Sequence, residues 1–590
     1  MGRILKKLNI LLDKTQKRTM GWLLVLMVIS AGLQTLGVGM IMPVVQIVMD
    51  SEAIAKPGML HNAYLLLGGG SEMRFTVLVM LALVLAYVLK NVFLFFQQRA
   101  TLAFAYSNQF RTSERMMRNY LRRSYEFYLN ADTAVIQRNI TANVNNMYAL
   151  ILALLQLISD IIVFIFLVVF LLIQDAAMTI LIAAVMILLL AGSKCVLKPV
   201  LQKVASQHQD CYSGLLKWIS QTVQGVKEIK IACKEQYFVE EYQKYGNGYV
   251  SAARKNDLYS QTPKLIIETM CVACMIGYIL YMIASGQNNA DMMATLTAFA
   301  AAAVALLPCV NRINNQLNKI DFCEPFLMAV SDDLQEEISN DRVDMSYATD
   351  TDEKLPVREK IELKDIVYAY PGTEKKIFDH ADLTIPVGKS VGIVGTSGAG
   401  KSTVVDILLG LLQAQQGEIT ADGVNVMAHY RPWLKNIGYI PQMIFMLDDT
   451  IRKNVCFGVP EDKIDEDRLW EALREAQLDT FIRTLPEGLD TSIGERGIRL
   501  SGGQRQRIGI ARALYHDPEV LILDEATSAL DNDTEAAIME SINRLQGRKT
   551  LIIIAHRLQT IEKCDLVYRV QDGRAVLERG SLDAANSNTQ

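Results

Sequence analysis

The residues best suited to chemistry in this chain form a loop that could hold an oligophosphate. The run GTSGAGKST, residues 395–403, fits the pattern G-x-x-x-x-G-K-[ST], and it stands between an apolar strand-like stretch, 390–394, and a helix-like stretch, 403–412. The glycines let backbone N–H groups turn toward anionic oxygens, and the helix N-terminus adds the positive end of its dipole. Lys401 supplies a mobile charge for the terminal phosphates, and the Ser402 hydroxyl is a ligand for Mg²⁺. The run therefore predicts a phosphate-binding loop.

Acidic residues at the end of a second strand provide groups for hydrolysis. The apolar run Val520–Leu523 predicts a short buried strand, and it ends in Asp524 and Glu525. We assign Asp524 to the metal ion and Glu525 to the attacking water. A further strand, 551–555, delivers His556, which can bond both the γ-phosphate and the water. A lone strand-end histidine is usually structural, but the position after Asp524 and Glu525 favours the catalytic role.

The run LSGGQ, residues 500–504, lies between the phosphate-binding loop and the acidic pair Asp524 and Glu525. In this order of motifs, residues 360–580 resemble the nucleotide-binding domain of the ABC transporter superfamily. The resemblance implies ATP and Mg²⁺ as cofactors, with Glu525, His556 and Gln442 as catalytic residues and Ser402, Gln442 and Asp524 at the metal. It also implies that the run 500–504 serves a nucleotide held by a second copy. The residues expected to contact nucleotide are Tyr370 (on adenine), Gly395, Ser397, Gly398, Gly400, Lys401, Ser402, Thr403, Ser501, Gly502, Gly503, Gln504 and Asp531.

The composition indicates a membrane protein with a soluble half. The chain has 590 residues, of which 51% are hydrophobic. Six apolar stretches precede residue 311, and each is long enough to cross about 30 Å of hydrocarbon as a helix. The first is too long for a cleaved signal peptide, and five more follow it. The stretches lie near 20–48, 75–97, 148–173, 177–197, 265–285 and 290–310.

Lysine and arginine predict the orientation of these spans. They are abundant in residues 1–18 and in the long connections 99–147 and 194–264, and they are absent or rare in the other three connections. By the positive-inside rule, the N-terminus and both long connections are cytoplasmic, and six spans return the C-terminal half to the same side. We therefore expect a multi-pass protein of the cell membrane with both termini in the cytoplasm.

The predicted fold is multidomain: an all-α six-helix exporter-type transmembrane domain is followed by an α/β P-loop NTPase domain of the ABC type. We expect the transmembrane domain at 1–330, a linker at 331–359, the nucleotide-binding domain at 360–580 and a polar tail at 581–590. The two long cytoplasmic connections are rich in helix-forming residues, so they predict helical extensions with bends near 127–133 and 224–231.

One cassette per chain implies a partner, and since the catalytic set is intact we expect a homodimer with two equivalent sites. A heterodimer is the alternative. The nature of the cargo is suggested by basic residues near the inner half of the spans: Lys90, Lys264 and Arg312 would suit an anionic headgroup. Each also has an ordinary interpretation, because Lys90 can snorkel, Lys264 can pair with Glu268, and Arg312 can follow the positive-inside rule.

Short stretches, 37–43 and 306–312, resemble bacterial flippases of lipid-linked oligosaccharides, which move a polyprenyl-diphosphate glycan from the inner to the outer leaflet. The resemblance implies an amphipathic lipid-linked substrate. Two other functions stay open: export of another amphipathic substrate (a drug, a phospholipid or a peptide), and an ATP-gated channel or regulatory membrane ATPase. The basic loops are explained by topology, so nucleic acid is not an expected partner.

Overall fold

The computed structural model describes residues 2–39, 64, 72–174, 176–284, 289–339, 353–525, 532–554 and 561–580. The chain divides into two compact units. The first comprises Met1–Leu121 and Ala131–Asp341, and the second comprises Arg122–Asn130 and Arg342–Gln590.

The first unit is helical throughout its described residues. A short helix of the second unit, α4, interrupts it in the chain, and a π-helical turn, Asn139–Asn143, joins α5 to α6. The helices to this point are α1 (Gly2–Leu11), α2 (Lys14–Gly39), α3 (Glu72–Leu121), α4 (Tyr125–Asn130), α5 (Thr133–Arg138), α6 (Val144–Gln174), α7 (Ala176–Gln224), α8 (Val226–Ala232), α9 (Glu235–Ala284) and α10 (Asn289–Ser339).

Four helical stretches among the described residues are long and apolar enough to cross a membrane. They are Lys14–Thr35, Met73–Leu121, Thr133–Leu172 and Thr179–Gln224. The helices α9 and α10 reach 50 and 51 residues, and much of their apolar part has side chains outside the described set. A polypeptide that crosses hydrocarbon must satisfy its backbone hydrogen bonds internally, and long helices do so.

The helices continue beyond the apolar stretches of the sequence. The helix α3 runs on to Leu121, α9 begins at Glu235, and α10 continues to Ser339, past the predicted start of the linker. The short helices α4 and α8 fall at the two places where bends were expected. Residues 340–352 of the linker and the tail 581–590 lie outside the described residues.

The second unit contains ten described strands in two sheets. Its strands are β1 (Lys360–Ala369), β2 (Lys376–Pro386), β3 (Ser390–Val394), β4 (Gln416–Ala421), β5 (Val424–Asn425), β6 (Ile437–Ile440), β7 (Val520–Asp524), β8 (Thr550–Ile554), β9 (Leu566–Gln571) and β10 (Arg574–Arg579). Its further helices are α11 (Lys401–Leu408), α12 (Tyr430–Leu434), α13 (Ile451–Val455), α14 (Glu466–Glu475), α15 (Asp479–Thr484), α16 (Gly502–Tyr515) and α17 (Asn532–Asn543).

The larger sheet positions the residues predicted to bind and hydrolyse the nucleotide. Its strand order is β10-β9-β3-β8-β7-β6, with parallel pairing from β9 through β6. Every residue of β3, β7 and β8 is buried, which explains why these strands are continuous apolar runs. The smaller sheet, β2-β1-β4-β5, is antiparallel. Since parallel strands end at one edge of their sheet, residues that follow β3, β6, β7 and β8 converge there.

Candidate nucleotide site

The phosphate loop joins β3 to α11, and two of its positions admit only glycine. Gly400 has φ of +102°, and a Cβ there would lie 2.7 Å from the side chain of Ile377. A Cβ on Gly395 would lie 2.6 Å from the carbonyl oxygen of Val570. An alanine Cβ cannot lie this close to another heavy atom, so the loop can approach its neighbours only with glycine at both positions.

The loop is closed around its own lysine. The ammonium of Lys401 donates to the carbonyl oxygens of Gly395 and Thr396, at 3.1 Å each, and the residue is buried. Tyr370 follows β1, and its hydroxyl lies 3.0 Å from the hydroxyl of Thr403. The predicted adenine-contacting residue therefore sits beside the first turn of α11, where a nucleotide held by the loop would extend.

The strands β6 and β7 deliver the predicted metal and water ligands side by side. Ile440 pairs with Leu523 in the sheet, so the residues after each strand are neighbours. The side-chain amide of Gln442 donates to the carboxylate of Glu525 at 2.8 Å. Glu525 has φ of +48°, a left-handed conformation, and its backbone N–H donates to the carbonyl of Ile554 at the end of β8. A strained residue held by a neighbouring strand is common where a side chain must be aimed precisely.

Asp524 has the environment of a cation ligand. It is buried, and its Oδ1 atom has no hydrogen-bond partner among the described residues, while Oδ2 accepts from the hydroxyl of Tyr439 at 3.4 Å. Burial first, and then the negative charge of Glu525, raise the pKa of Asp524, whereas hydrogen bonds from Tyr439 and Ser402 oppose that rise. An orphaned carboxylate oxygen beside a serine hydroxyl and a glutamine fits a hard divalent cation. The residues present thus fit Mg²⁺.

Sequence reasoning missed a third carboxylate in this cluster, in addition to those of Asp524 and Glu525. Asp406 lies on α11, and burial, followed by the charge of Asp524, raises its pKa to about 6. The available signal was a single acidic residue in the otherwise apolar second half of the helix KSTVVDIL.

The run at 500–504 forms the start of α16. Ser501 is the N-cap: its hydroxyl accepts from the N–H of Gln504, and the Gln504 side chain accepts from the N–H of Ser501, completing a capping box. The first turn has no acidic residue, and Ser501 and Gly502 are exposed. An exposed helix N-terminus of this kind is suited to an anion.

The helix α16 is fastened to the segment that follows Gln442. The guanidinium of Arg512 donates to the carbonyl of Asn454 at 2.7 Å and to that of Phe445 at 2.8 Å. A Cβ on Gly509 would lie 2.3 Å from Ile444, so the helix and this segment are in close contact. No motif pointed to this clamp.

The helix α4 belongs to the same unit, although it comes from the first long connection of the helical part. Its Glu126 carboxylate accepts from the N–H of Gln413 at 3.4 Å. Burial, followed by the nearby groups Asp406 and Tyr370, raises the pKa of Tyr125. The helix thus lies close to the end of α11 that faces away from the phosphate loop.

Five other predicted positions are not part of the described nucleotide site. His556 and Asp531 lie outside the described residues. Lys264 is exposed, and Lys90 places its ammonium 4.1 Å from the ring centroid of Tyr87. Arg312 donates through Nε to Asp160 at 2.8 Å, a pairing that was not anticipated. The three basic residues therefore occupy different surroundings.

By its fold and its site, the chain consists of a helical transmembrane region followed by a P-loop nucleotide-binding domain. Residues 378–528 match the family model "ABC transporter", and residues 23–307 match "ABC transporter transmembrane region". The chain belongs to the ABC transporter family and has its exporter fold.

Relatives and a solved structure agree with this assignment. The chain is 32% identical over 386 residues to an "ATP-dependent lipid A-core flippase" of Desulfotalea psychrophila, and the alignment covers 65% of each protein. It is 32% identical to the protein of that name from Escherichia coli, with 64% of each covered. The chain thus matches slightly less than two thirds of the length of these relatives. The solved structure of "a bacterial Atm1-family ABC exporter with ATP bound" is similar with a TM-score of 0.76 at 22% identity, over 98% of this chain and 97% of that one.

Proposed function

We propose that this chain is an ATP-driven lipid translocase that moves a lipid-linked oligosaccharide, a polyprenyl-diphosphate glycan, from the inner to the outer leaflet. The observation that carries the ATP-driven part is the bond between Gln442 and Glu525 at the sheet edge that also holds the phosphate loop. The lipid part is supported by the names of the relatives, which are lipid flippases. In this proposal the protein lies in the bacterial inner membrane with both termini in the cytoplasm.

Hydrolysis follows from the residues at the sheet edge. Lys401 and the loop N–H groups hold the β- and γ-phosphates, and Glu525 accepts a proton from a water that attacks the γ-phosphorus. The bond from the β,γ-bridging oxygen to the γ-phosphorus breaks, giving ADP and phosphate. Mg²⁺ would be held by Ser402, Gln442 and Asp524, and when bound it neutralises charge on the phosphates. Gln442 orients the Glu525 carboxylate through the 2.8 Å bond.

A second copy of the chain completes each site in this proposal. The N-terminus of α16, with Ser501 and Gly503, would bind the γ-phosphate of a nucleotide held by the partner. Its exposure, its capping box and its lack of acidic residues support that role. A preparation that stays monomeric in nanodiscs and still hydrolyses ATP at full rate would contradict the homodimer.

The pairing of Arg312 refines the proposed headgroup site. Asp160 is 13% exposed and Arg312 48% exposed at the side chain, so the carboxylate is enclosed and the guanidinium is open on one side. The bond uses Nε, and a guanidinium has five N–H donors in a fixed fork. Asp160 can therefore hold the fork in one orientation while its terminal nitrogens bind a diphosphate. The added positive charge of Lys90 and Lys264 stays a prediction from the sequence.

Lipid movement between the leaflets of proteoliposomes tests the proposal. ATP should drive fluorescent polyprenyl-diphosphate glycan to the opposite leaflet, and Glu525→Gln should bind ATP but slow hydrolysis about 10²–10⁴-fold, the range for loss of a general base. Replacing Lys90, Lys264 and Arg312 together by Gln should abolish glycan-lipid movement. The matched control replaces three exposed lysines of the N-terminal region, Lys6, Lys14 and Lys17, by Gln and should transport normally.

The alternatives predict different results. Another exporter would show ATPase stimulation by drugs, phospholipid or peptide and none by the glycan lipid. A channel or regulatory ATPase would pass ions or hydrolyse ATP without moving lipid. Survival of transport in the Lys90, Lys264 and Arg312 triple variant would refute the charged-headgroup site.

A further inference from the structure

A cavity of about 510 Å³ lies within the helical unit, lined by residues near the start of α6 and by residues of α7, α9 and α10. Its volume is within the range of ligand pockets, about 300–1,000 Å³. We propose that this cavity, called here the amide–aromatic cavity, is a saccharide subsite that binds part of the glycan headgroup. The proposal rests on the proposed function and adds a place for the sugar.

One wall of the cavity is a cluster of aromatic rings. The ring centroid of His208 on α7 lies 4.4 Å from that of Tyr249 on α9 and 5.7 Å from that of Phe322 on α10. Tyr212 extends the cluster, with its ring centroid 6.0 Å from that of Tyr249. Aromatic faces provide apolar contact to the C–H side of a flat ring, and the polar edges of Tyr and His stay available for hydrogen bonds.

The opposite wall carries amides that are fixed in position. It includes the π-helical turn Asn139–Asn143, and such turns are often found at functional sites. The side-chain amide of Asn143 donates to Asn139 at 2.7 Å, and Asn143 accepts from Gln209 at 3.3 Å. Arg138 donates to the hydroxyl of Ser213 at 2.7 Å. Donors and acceptors are therefore pre-organised around the cavity.

Three polar atoms of the lining are buried and have no hydrogen-bond partner among the described residues. They are Nε of Arg138, Nδ1 of His208 and Oδ1 of Asn256. An unpaired buried polar atom costs about 1–3 kcal/mol, so a ligand that reaches these side chains would relieve part of that cost. The three atoms include a donor, an acceptor and a nitrogen that can be either.

The donors and acceptors of the lining together favour a neutral, hydroxyl-rich ring as the ligand. A phosphate would face the Asp257 carboxylate and the Asn256 oxygen, whereas a simple cation would face the Arg138 guanidinium. A hydroxyl donates and accepts at once, so a pyranose can hydrogen-bond the polar side chains of the lining while its C–H face covers the aromatic rings.

The position of the cavity matches the proposed diphosphate site. Phe322 follows Arg312 by ten residues on the same helix, α10, which corresponds to about 15 Å at 1.5 Å per residue. A glycan attached to a diphosphate at Arg312 could therefore extend along α10 into the cavity.

A comparison of two lipids on the full-length protein in nanodiscs tests the subsite. The probes are polyprenyl-diphosphate glycan from bacterial membranes and polyprenyl diphosphate lacking sugar, and the readout is the lipid concentration that gives half-maximal ATPase stimulation. In the wild type we expect the glycan lipid to act at a concentration at least tenfold lower. Ala253→Trp, which places a large ring in the cavity where a sugar would lie, should remove that difference. Val250→Trp, on an exposed face of the same helix, should keep it.

The outcomes separate the subsite from the function. If both lipids stimulate the wild type at equal concentration, the saccharide subsite is wrong and the lipid function stands; if neither lipid stimulates it, both fail. Asn256→Leu, which removes the orphan oxygen with little change in volume, should also reduce the difference between lipids at least threefold. Retention of the full difference in both Ala253→Trp and Asn256→Leu would overturn the subsite.

Discussion

The clamp formed by Arg512 predicts how the start of α16 is coupled to the segment after Gln442. The guanidinium reaches the carbonyls of Phe445 and Asn454, and Nη2 lies 3.2 Å from Oδ1 of Asn454. Asn454 is fully buried and also bonds Leu447 through both its amide nitrogen and its oxygen. Arg512 thus joins a helix that carries the run 500–504 to a loop that carries Gln442.

The cost of breaking this clamp can be worked from its contacts. Arg512→Ala leaves two carbonyl oxygens without their charged donor, and each such loss costs about 1–3 kcal/mol. Because the side chain is partly open to water, we expect the lower part of that range, about 3 kcal/mol in total. Each 1.4 kcal/mol is a factor of ten, so local opening should become about 100-fold more frequent.

Hydrogen exchange of the full-length protein measures this opening directly. Amides of 440–456 and 502–515 should exchange about 100-fold faster in Arg512→Ala, and ATPase activity should fall at least tenfold. Arg507→Ala on the same helix is the matched control, because within the described part of the chain Arg507 bonds the carbonyl of Gln477, at 3.1 Å, and not the segment 443–456. It should change exchange near 477 and leave 440–456 unaffected. Unchanged exchange at 440–456 in Arg512→Ala would refute the clamp.

Three further predictions concern the nucleotide-binding unit. Gly395→Ala should reduce ATP affinity at least tenfold in a fluorescent-nucleotide titration, because its Cβ would meet the Val570 carbonyl at 2.6 Å; wild-type affinity would contradict the close approach. After EDTA treatment, Asp524→Asn should need at least tenfold more Mg²⁺ than the wild type to recover hydrolysis, and an equal requirement would remove Asp524 from the metal site. Burial raises the pKa of the Cys564 thiol to about 11, so iodoacetamide at pH 8 should label exposed Cys233 and spare Cys564 until the protein is unfolded, as peptide mass spectrometry would show.

The parts of the site that follow from sequence are those encoded locally. The phosphate loop needs two glycines, a lysine and a serine within nine residues, and the capping box of Ser501 and Gln504 spans four. Parallel strand ends then bring Gln442 to Glu525 across 83 residues, because each follows a buried apolar run. Such features carry their own pattern, and the ABC exporter fold predicted from them is confirmed by the family models and the solved exporter structure.

Contacts between distant helices carry no such pattern. Asp160 and Arg312 are 152 residues apart, and each alone has several ordinary explanations in a membrane helix. The amide–aromatic cavity combines residues from six segments, so its composition is visible only once the helices are placed. The roles of Lys90 and Lys264 stay predictions for the same reason.

The helix α10 shows how these distant contacts work together. Arg312 bonds Asp160 on α6, and Glu324, which is buried, accepts from Gln202 on α7 at 2.7 Å. Nearer its end, Asp333 accepts from Asn139 of the π-helical turn at 2.7 Å. A shift of α10 by one turn, about 5.4 Å, would separate all three polar pairs at once. Separating a buried polar pair leaves uncompensated groups, so these contacts restrict α10 to discrete positions rather than a continuum. A helix restricted in this way is suited to carry the proposed headgroup site at Arg312 and the proposed saccharide subsite between two defined states.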